Sequence, residues 1–490
     1  MGLADWPQAA GPRGDFVVKG EAPIRFSVSL EENIRWAVPL PSTGQGAVIV
    51  SGDRLFLTSH EPINANSEMG SMILGMCFDA KSGKEHWRRE LEGVRETDLS
   101  SLFSDNTAAS PVASHDSVCF VNVGGSIQCF SHEGDLKWSD RWTPFGRHHS
   151  RQHEPILFDH NVIVARVTPD DLPVAVTTKA GAKPLGRGRK YWNHLRAYDM
   201  ASGDLQWIAQ AGTSVHSTSL LGKLSDGREA ILTGRGGGHQ PPEEPYGLSL
   251  VNARNGETIW ERAIERYAAA QNASWNSELV CLFAGKEHLT LDAATGEPRS
   301  KVSLSDGVTI TRLQDGSYRT KTDQQLPNVR KPITLQSNCL VGDYHYFRAH
   351  GDFLIGRVNV GSGDVEYLQV PALCERAVGK GDVVHWENPP KNDMKNADGF
   401  LATQDNRNAG SGWGHVSAAS PIVVGQHLYM PTMLGMVYVV KWNADRLDES
   451  ALIHVSDLGP AGETWSLSSL SYANGRLYAR TLKQLICIGN

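Results

Sequence analysis

The chain has 490 residues, 40% of them apolar, with 13 Trp, 49 Gly and a net charge of −7. Mixed-sign charge without a basic block argues against a nucleic-acid groove or a polybasic membrane surface, and no apolar run reaches the roughly eighteen residues of a membrane span. Seven Cys, none adjacent or in CxxC spacing, sit mostly in apolar strand-like contexts and read as buried small residues.

Residues 1–30 show little periodicity and read as an N-terminal extension, an irregular strap ahead of a single domain over 31–490. They lack a basic-then-apolar leader. A periplasmic or extracellular protein that has shed its signal is the expectation, with a cytoplasmic one as the alternative. Segment 31–40, carrying Trp36, reads as an outer strand whose hairpin partner is missing upstream. Segment 78–87 holds the organising unit: Asp79 caps a turn, Gly83 takes φ > 0 and Trp87 opens the next strand. Asp199, Gly203 and Trp207 repeat it, as do Asn252, Gly256 and Trp260. Gly134 and Trp138 repeat its second half. Asp292 with Gly296, and Asn359 with Gly363 and Tyr367, are weaker copies.

A unit of short strands recurring at a spacing of about forty to seventy residues predicts a β-propeller. Inner strands are expected to begin near Gly44, Asn106, His153, His216, Ser274, Thr334, His415 and Trp465, which makes eight four-stranded antiparallel blades, with seven as the fallback. The last blade ends after Gly489 without a Trp strand, so segment 31–40 is expected to complete it and remove two exposed sheet edges. Long inserts at about 168–192, 306–329 and 374–413 project from blade ends, where ligands usually bind.

The repeated (Asp or Asn)-x-x-x-Gly-x-x-x-Trp element, with inner strands AASPV (108–112) and AASPIVV (418–424), resembles the pyrroloquinoline-quinone-like propeller repeat over nearly the whole chain. This family is also called quinoprotein alcohol dehydrogenase-like. The resemblance implies the fold. It does not fix the function, because the family includes quinone-dependent alcohol dehydrogenases, an outer-membrane assembly scaffold and many uncharacterised proteins. Such dehydrogenases carry a vicinal Cys pair over the cofactor, which this chain lacks, so PQQ is not expected.

The loops between blades, and those between the second and third strands of each blade, should open onto one face. Eleven His map there, His345 among them. His153, His216 and His415 each begin an inner strand, so their imidazoles are expected to line the funnel as catalytic groups or as ligands of a divalent metal. Tyr344 and Tyr346 are candidate bases. Alternation puts them and Arg348 out of phase with His345. Arg147, Arg151 and Arg348 would neutralise a carboxylate, His239 follows a Gly run that admits close approach, and Trp275 and Trp413 would stack on sugar rings. The expected function is binding and processing of a saccharide, or another small polar ligand, by metal-assisted or His/Tyr-based elimination or hydrolysis. The alternatives are a non-catalytic assembly scaffold and a quinone-dependent dehydrogenase. No nucleic-acid partner and no membrane span are expected.

Overall fold

The structure, a computed structural model, describes residues 5–60, 70–96, 106–144, 153–166, 194–209, 218–237, 243–264, 273–326, 334, 338–349, 353–387, 389, 392, 395 and 419–489. Eight antiparallel sheets follow one another along the chain. Their inner strands are Ile49–Ser51, Val112–Ala113, Ile156–Phe158, Leu220–Lys223, Ala273–Trp275, Asn338–Val341, Ile422–Val424 and Ser471–Ala473. The protein is an all-β, eight-bladed propeller. Its eighth blade takes Ile34–Pro39 as the outer strand, paired antiparallel to Gln484–Ile488.

The repeat is the fastener between blades. Gly83 has φ 72°, and its amide donates to Asp79 O at 2.8 Å. A Cβ on Gly83 would stand 2.7 Å from the Trp36 ring of the preceding blade. The same relation holds for Gly134 over Trp87, Gly203 over Trp138, Gly256 over Trp207 and Gly296 over Trp260. Each turn therefore needs Gly twice, for the left-handed backbone and for the approach of the ring. Trp87, Trp138 and Trp260 also donate Nε1–H to carbonyls of the next blade at 2.9 Å. Trp36 under Gly83 makes the same joint between the last blade and the first, so the ring closes with the contact it repeats. Where Trp is missing from Pro298–Ser303, Val302 lies beneath Gly363 instead.

Two features extend this plan. Asp306–Gln314 and Ser317–Gln325 form a hairpin that adds to the outer edge of blade six, with Asp306–Gln314 running parallel to Val365–Gln369. Leu373–Glu375 pairs with Val383–His385 in a separate small hairpin between blades six and seven. A disulfide joins Cys119 and Cys129, which stand directly opposite each other in blade two.

The face that carries the short turns within blades, here the lower one, is crossed by the N-terminal segment. Trp6 exchanges backbone hydrogen bonds with Val50 of blade one, and Pro7 O accepts from Ala113 of blade two. Gln8 Oε1 accepts from Leu157 N of blade three at 2.8 Å. Val17–Val18 runs parallel to the inner strand of blade seven. Trp6 and Phe26 are fully buried. The segment read as a surface strap thus bonds four inner strands together and shares the core. The reason is energetic: two large apolar rings gain more from burial than a surface path would allow.

Candidate functional site

With the lower ends of the inner strands laced by the N-terminal segment, the upper face is the one that carries long loops. The segments that lead into the inner strands of blades eight, one, two and three are joined there in a hydrogen-bonded collar. Ser468 Oγ of the eighth blade donates to Gln45 O at 2.8 Å, Ala47 N donates to Ser110 Oγ at 2.8 Å, and Ser110 N donates to Glu154 Oε2 at 2.7 Å. Burial pushes the Glu154 carboxyl up to about 7 against the opposing Ser110 N–H. The Ser of the AASP motif is therefore a blade-to-blade link, and Glu154 is a carboxyl that titrates near neutral pH.

Blade six supplies the most unusual group. Its second strand, Tyr344–Arg348, ends at the upper face, and alternation sends Tyr344, Tyr346 and Arg348 toward blade seven while His345 and Phe347 turn toward blade five. Arg348 is 1% exposed. Its guanidinium lies 5.1 Å from the centre of the Tyr438 ring, and none of its three nitrogens meets an acceptor among the described residues. Burial lowers its pKa, the direction a desolvated cation takes, and the Tyr438 hydroxyl opposes that. Arginine keeps its proton in proteins, so this is a buried positive charge without an anion among the described residues. Cation–π attraction offsets only part of the desolvation cost.

Tyr346 and Tyr344 lie further down the same strand. Tyr346 Oη donates to Trp442 O at 2.8 Å and receives Arg357 Nη1 at 3.2 Å. Burial pushes the phenol up to about 12. Arg357 also lies 4.1 Å from the centre of the Tyr344 ring. Both tyrosines are thus committed to the joint between blades six and seven rather than to the mouth. Trp275 closes the inner strand of blade five just before the turn at Asn276, which puts it at the lower end, where it borders a 500 Å³ cavity with Arg13, Asp15 and Phe158. Its Nε1–H donates to Leu220 O at 3.0 Å. Trp275, expected to stack on a sugar at the mouth, lies instead at the opposite end of the ring, because its strand ends one residue before a lower turn. His153 is buried in the loop leading into Ile156–Phe158. His216, His415, His239, Arg147, Arg151 and Trp413 lie outside the described residues.

His345 belongs to a different place from the rim. It is fully buried between blades five and six. Its Nδ1 lies 2.9 Å from His288 Nε2, its Nε2 lies 2.9 Å from Asn338 Oδ1, and Ser274 Oγ donates to the same oxygen at 2.7 Å. Phe283 stacks on His345 with ring centres 4.5 Å apart. Cys281, His288 and His345 can each bring one ligand atom to a common point, all within 4.8 Å of one another. Burial pulls His288 down to about 3, pulls His345 well below its usual value with His288 adding to the effect, and pushes the Cys281 thiol up to about 12. All three are neutral at physiological pH. Sequence reading missed Cys281 and His288, which show no motif spacing. Their one signal was position: both sit at inward phases of blade-five strands.

Residues 35–183 match the family described as "Outer membrane protein assembly factor BamB". Over those residues the chain carries the PQQ-like β-propeller repeat. This PQQ-like propeller is similar in structure to the quinohemoprotein alcohol dehydrogenase ADHIIG from Pseudomonas putida HK5, with 11% identity, a TM-score of 0.56 and coverage of 99% of this chain and 80% of that one. The quinohemoprotein alcohol dehydrogenase from Comamonas testosteroni matches at 10% identity and a TM-score of 0.53, covering 99% of this chain and 80% of that one. A europium-containing methanol dehydrogenase matches at 9% identity and a TM-score of 0.51, covering 98% and 90%. At these identities the likeness concerns the fold. No curated protein matches the sequence. No helix among the described residues is long and apolar enough to cross a membrane.

Proposed function

We propose that this PQQ-like propeller binds a small anionic ligand at its upper mouth, a carboxylate-bearing saccharide by class, with Arg348 as the anchoring cation. The observation that carries this reading is the buried guanidinium with no acceptor on any nitrogen among the described residues. An uncompensated buried charge costs several kcal/mol. A carboxylate in a bidentate pose would recover that cost and satisfy two donors at once. Glu154, in the collar of blade three, is the described group whose titration suits proton transfer near neutral pH. Elimination or hydrolysis of the bound sugar would use it or the histidines of the upper loops, and a divalent metal there would be held by His153, His216 and His415. The Cys119–Cys129 disulfide supports export to an oxidising compartment.

The test is calorimetric titration of the full chain with glucuronate, and with glucose as the neutral control, at matched ionic strength. Saturable binding of glucuronate alone, lost in Arg348→Met, is the expected result. Equal binding of both sugars, or glucuronate binding that survives the substitution, contradicts the reading. A non-catalytic assembly role is the second reading, favoured by the BamB-described match over residues 35–183. It predicts no binding of either sugar.

A further inference from the structure

We infer that Cys281, His288 and His345 form a binding site for a soft monovalent metal ion, copper(I), in the joint between blades five and six. Three arguments converge on it. The ligand atoms already lie within 4.8 Å of one another, on strands of two packed blades. The two facing imidazole nitrogens are 2.9 Å apart, and bonds of about 2.0 Å to one metal ion would need them about 3.4 Å apart. That pair has to open by about half an ångström, and the Cys281 sulfur has to close from a distance of at most 4.8 Å.

Hydrogen bonding then orients the ligands. Asn338 Oδ1 can only accept, and it receives Ser274 Oγ, so the His345 nitrogen facing it, Nε2, carries the proton. His345 Nδ1 is therefore a bare lone pair turned toward His288, the arrangement in which an outer-shell carbonyl fixes a metal-binding histidine. His288 must donate from Nε2 to that lone pair, which leaves its Nδ1 deprotonated, buried and without a hydrogen-bond partner among the described residues. Neither imidazole would have to lose a net proton to bind a metal. The thiol loses one to solvent, and the proton shared between the rings moves to the free Nδ1 of His288.

Charge selects the ion. Two neutral imidazoles and one thiolate carry −1, so a monovalent ion gives a neutral complex in a buried setting where the neighbours Phe283, Asn338 and Ser274 carry no charge. A divalent ion would leave a net positive charge there with no carboxylate among the three ligands. Zinc also asks for a fourth ligand, whereas soft thiolate donors select copper(I).

The full chain, produced in copper-supplemented and in zinc-supplemented medium and purified under reducing conditions, should retain about one copper per chain and no stoichiometric zinc. X-ray absorption at the copper edge should show one sulfur and two nitrogen neighbours. Cys281→Ser should lose the copper and Cys77→Ser should keep it. Copper retained equally by Cys281→Ser, zinc retained one-to-one in preference to copper, or a copper edge without sulfur would each overturn the assignment. If Cys281→Ser does not fold, the absorption spectrum of the unsubstituted protein still decides the matter.

Discussion

Two arginines on one side of blade six, nine residues apart, occupy equally dry positions and have opposite surroundings. Arg357, fully buried, places Nε 2.6 Å from Glu366 Oε2, donates to Tyr346 Oη and to Ala444 O at 2.8 Å, reaches Asp445 O at 3.2 Å and rests on the Tyr344 ring. Arg348, at the upper end of the same joint, has a ring face and no acceptor among the described residues. The first is a structural rivet, since every donor it brings into the core is satisfied by the two blades it joins. The second is a charge that no described residue of the fold balances. A fold that carries such a charge gains from it when something outside the chain completes it.

That contrast can be broken or sharpened by substitution. Arg357→Met should have the largest effect, a loss of about 3–5 kcal/mol in urea unfolding, because Glu366, Tyr346 and two carbonyls lose their donor together. A loss under about 1 kcal/mol would remove the distinction between the two arginines. The neutral polar joint between blades five and six gives a second comparison, through pH. Burial holds His288 near 3, below its ordinary value of 6.5, so the unfolded chain binds the proton first. Stability is full above pH 6.5 and falls as pH drops from 6.5 toward 3, by at most about 1.4 kcal/mol per pH unit from this residue. His288→Gln should flatten that slope in acid unfolding curves, and an unchanged slope would contradict the burial argument. Glu154 acts in the other direction: its raised pKa, about 7, makes stability decline as pH rises from the ordinary value of 4.5 through 7. Glu154→Gln should therefore level the neutral limb of the same curves. Glu366→Gln should cost about 1–2 kcal/mol while leaving glucuronate binding intact, since it weakens the rivet and not the anchor.

Much of the ring was legible before the structure because its repeat does two jobs in one residue pair. Gly203, for example, must be Gly for its φ of 80° and for the Trp138 ring 2.6 Å from where a Cβ would stand. A sequence that keeps both residues at fixed spacing advertises the joint. The disulfide was not readable in the same way: Cys119 and Cys129 stand in apolar strand contexts like the other cysteines, and only the strand register sets them opposite each other. The alternation that separated Arg348 from His345 also holds, since the two sides meet different blades. The partners themselves were not readable. Tyr346 meets Trp442 across ninety-six residues, and Cys281 meets His345 across a blade boundary. Such encounters depend on the rotation between neighbouring sheets, which no local pattern encodes. The N-terminal segment was opaque for a related reason: Trp6 and Phe26 have no periodic partner, and only the assembled lower face offers them a place.

The most direct test is urea unfolding of the wild type and Arg348→Met, each with and without glucuronate at matched ionic strength. The buried, unpaired charge predicts that Arg348→Met alone is as stable as the wild type or more so, because a well-packed apolar chain replaces an uncompensated cation. It also predicts that glucuronate at a hundred times its Kd stabilises only the wild type, by about 2.7 kcal/mol. A variant that loses as much stability as Arg357→Met, together with a wild type indifferent to glucuronate, would contradict it.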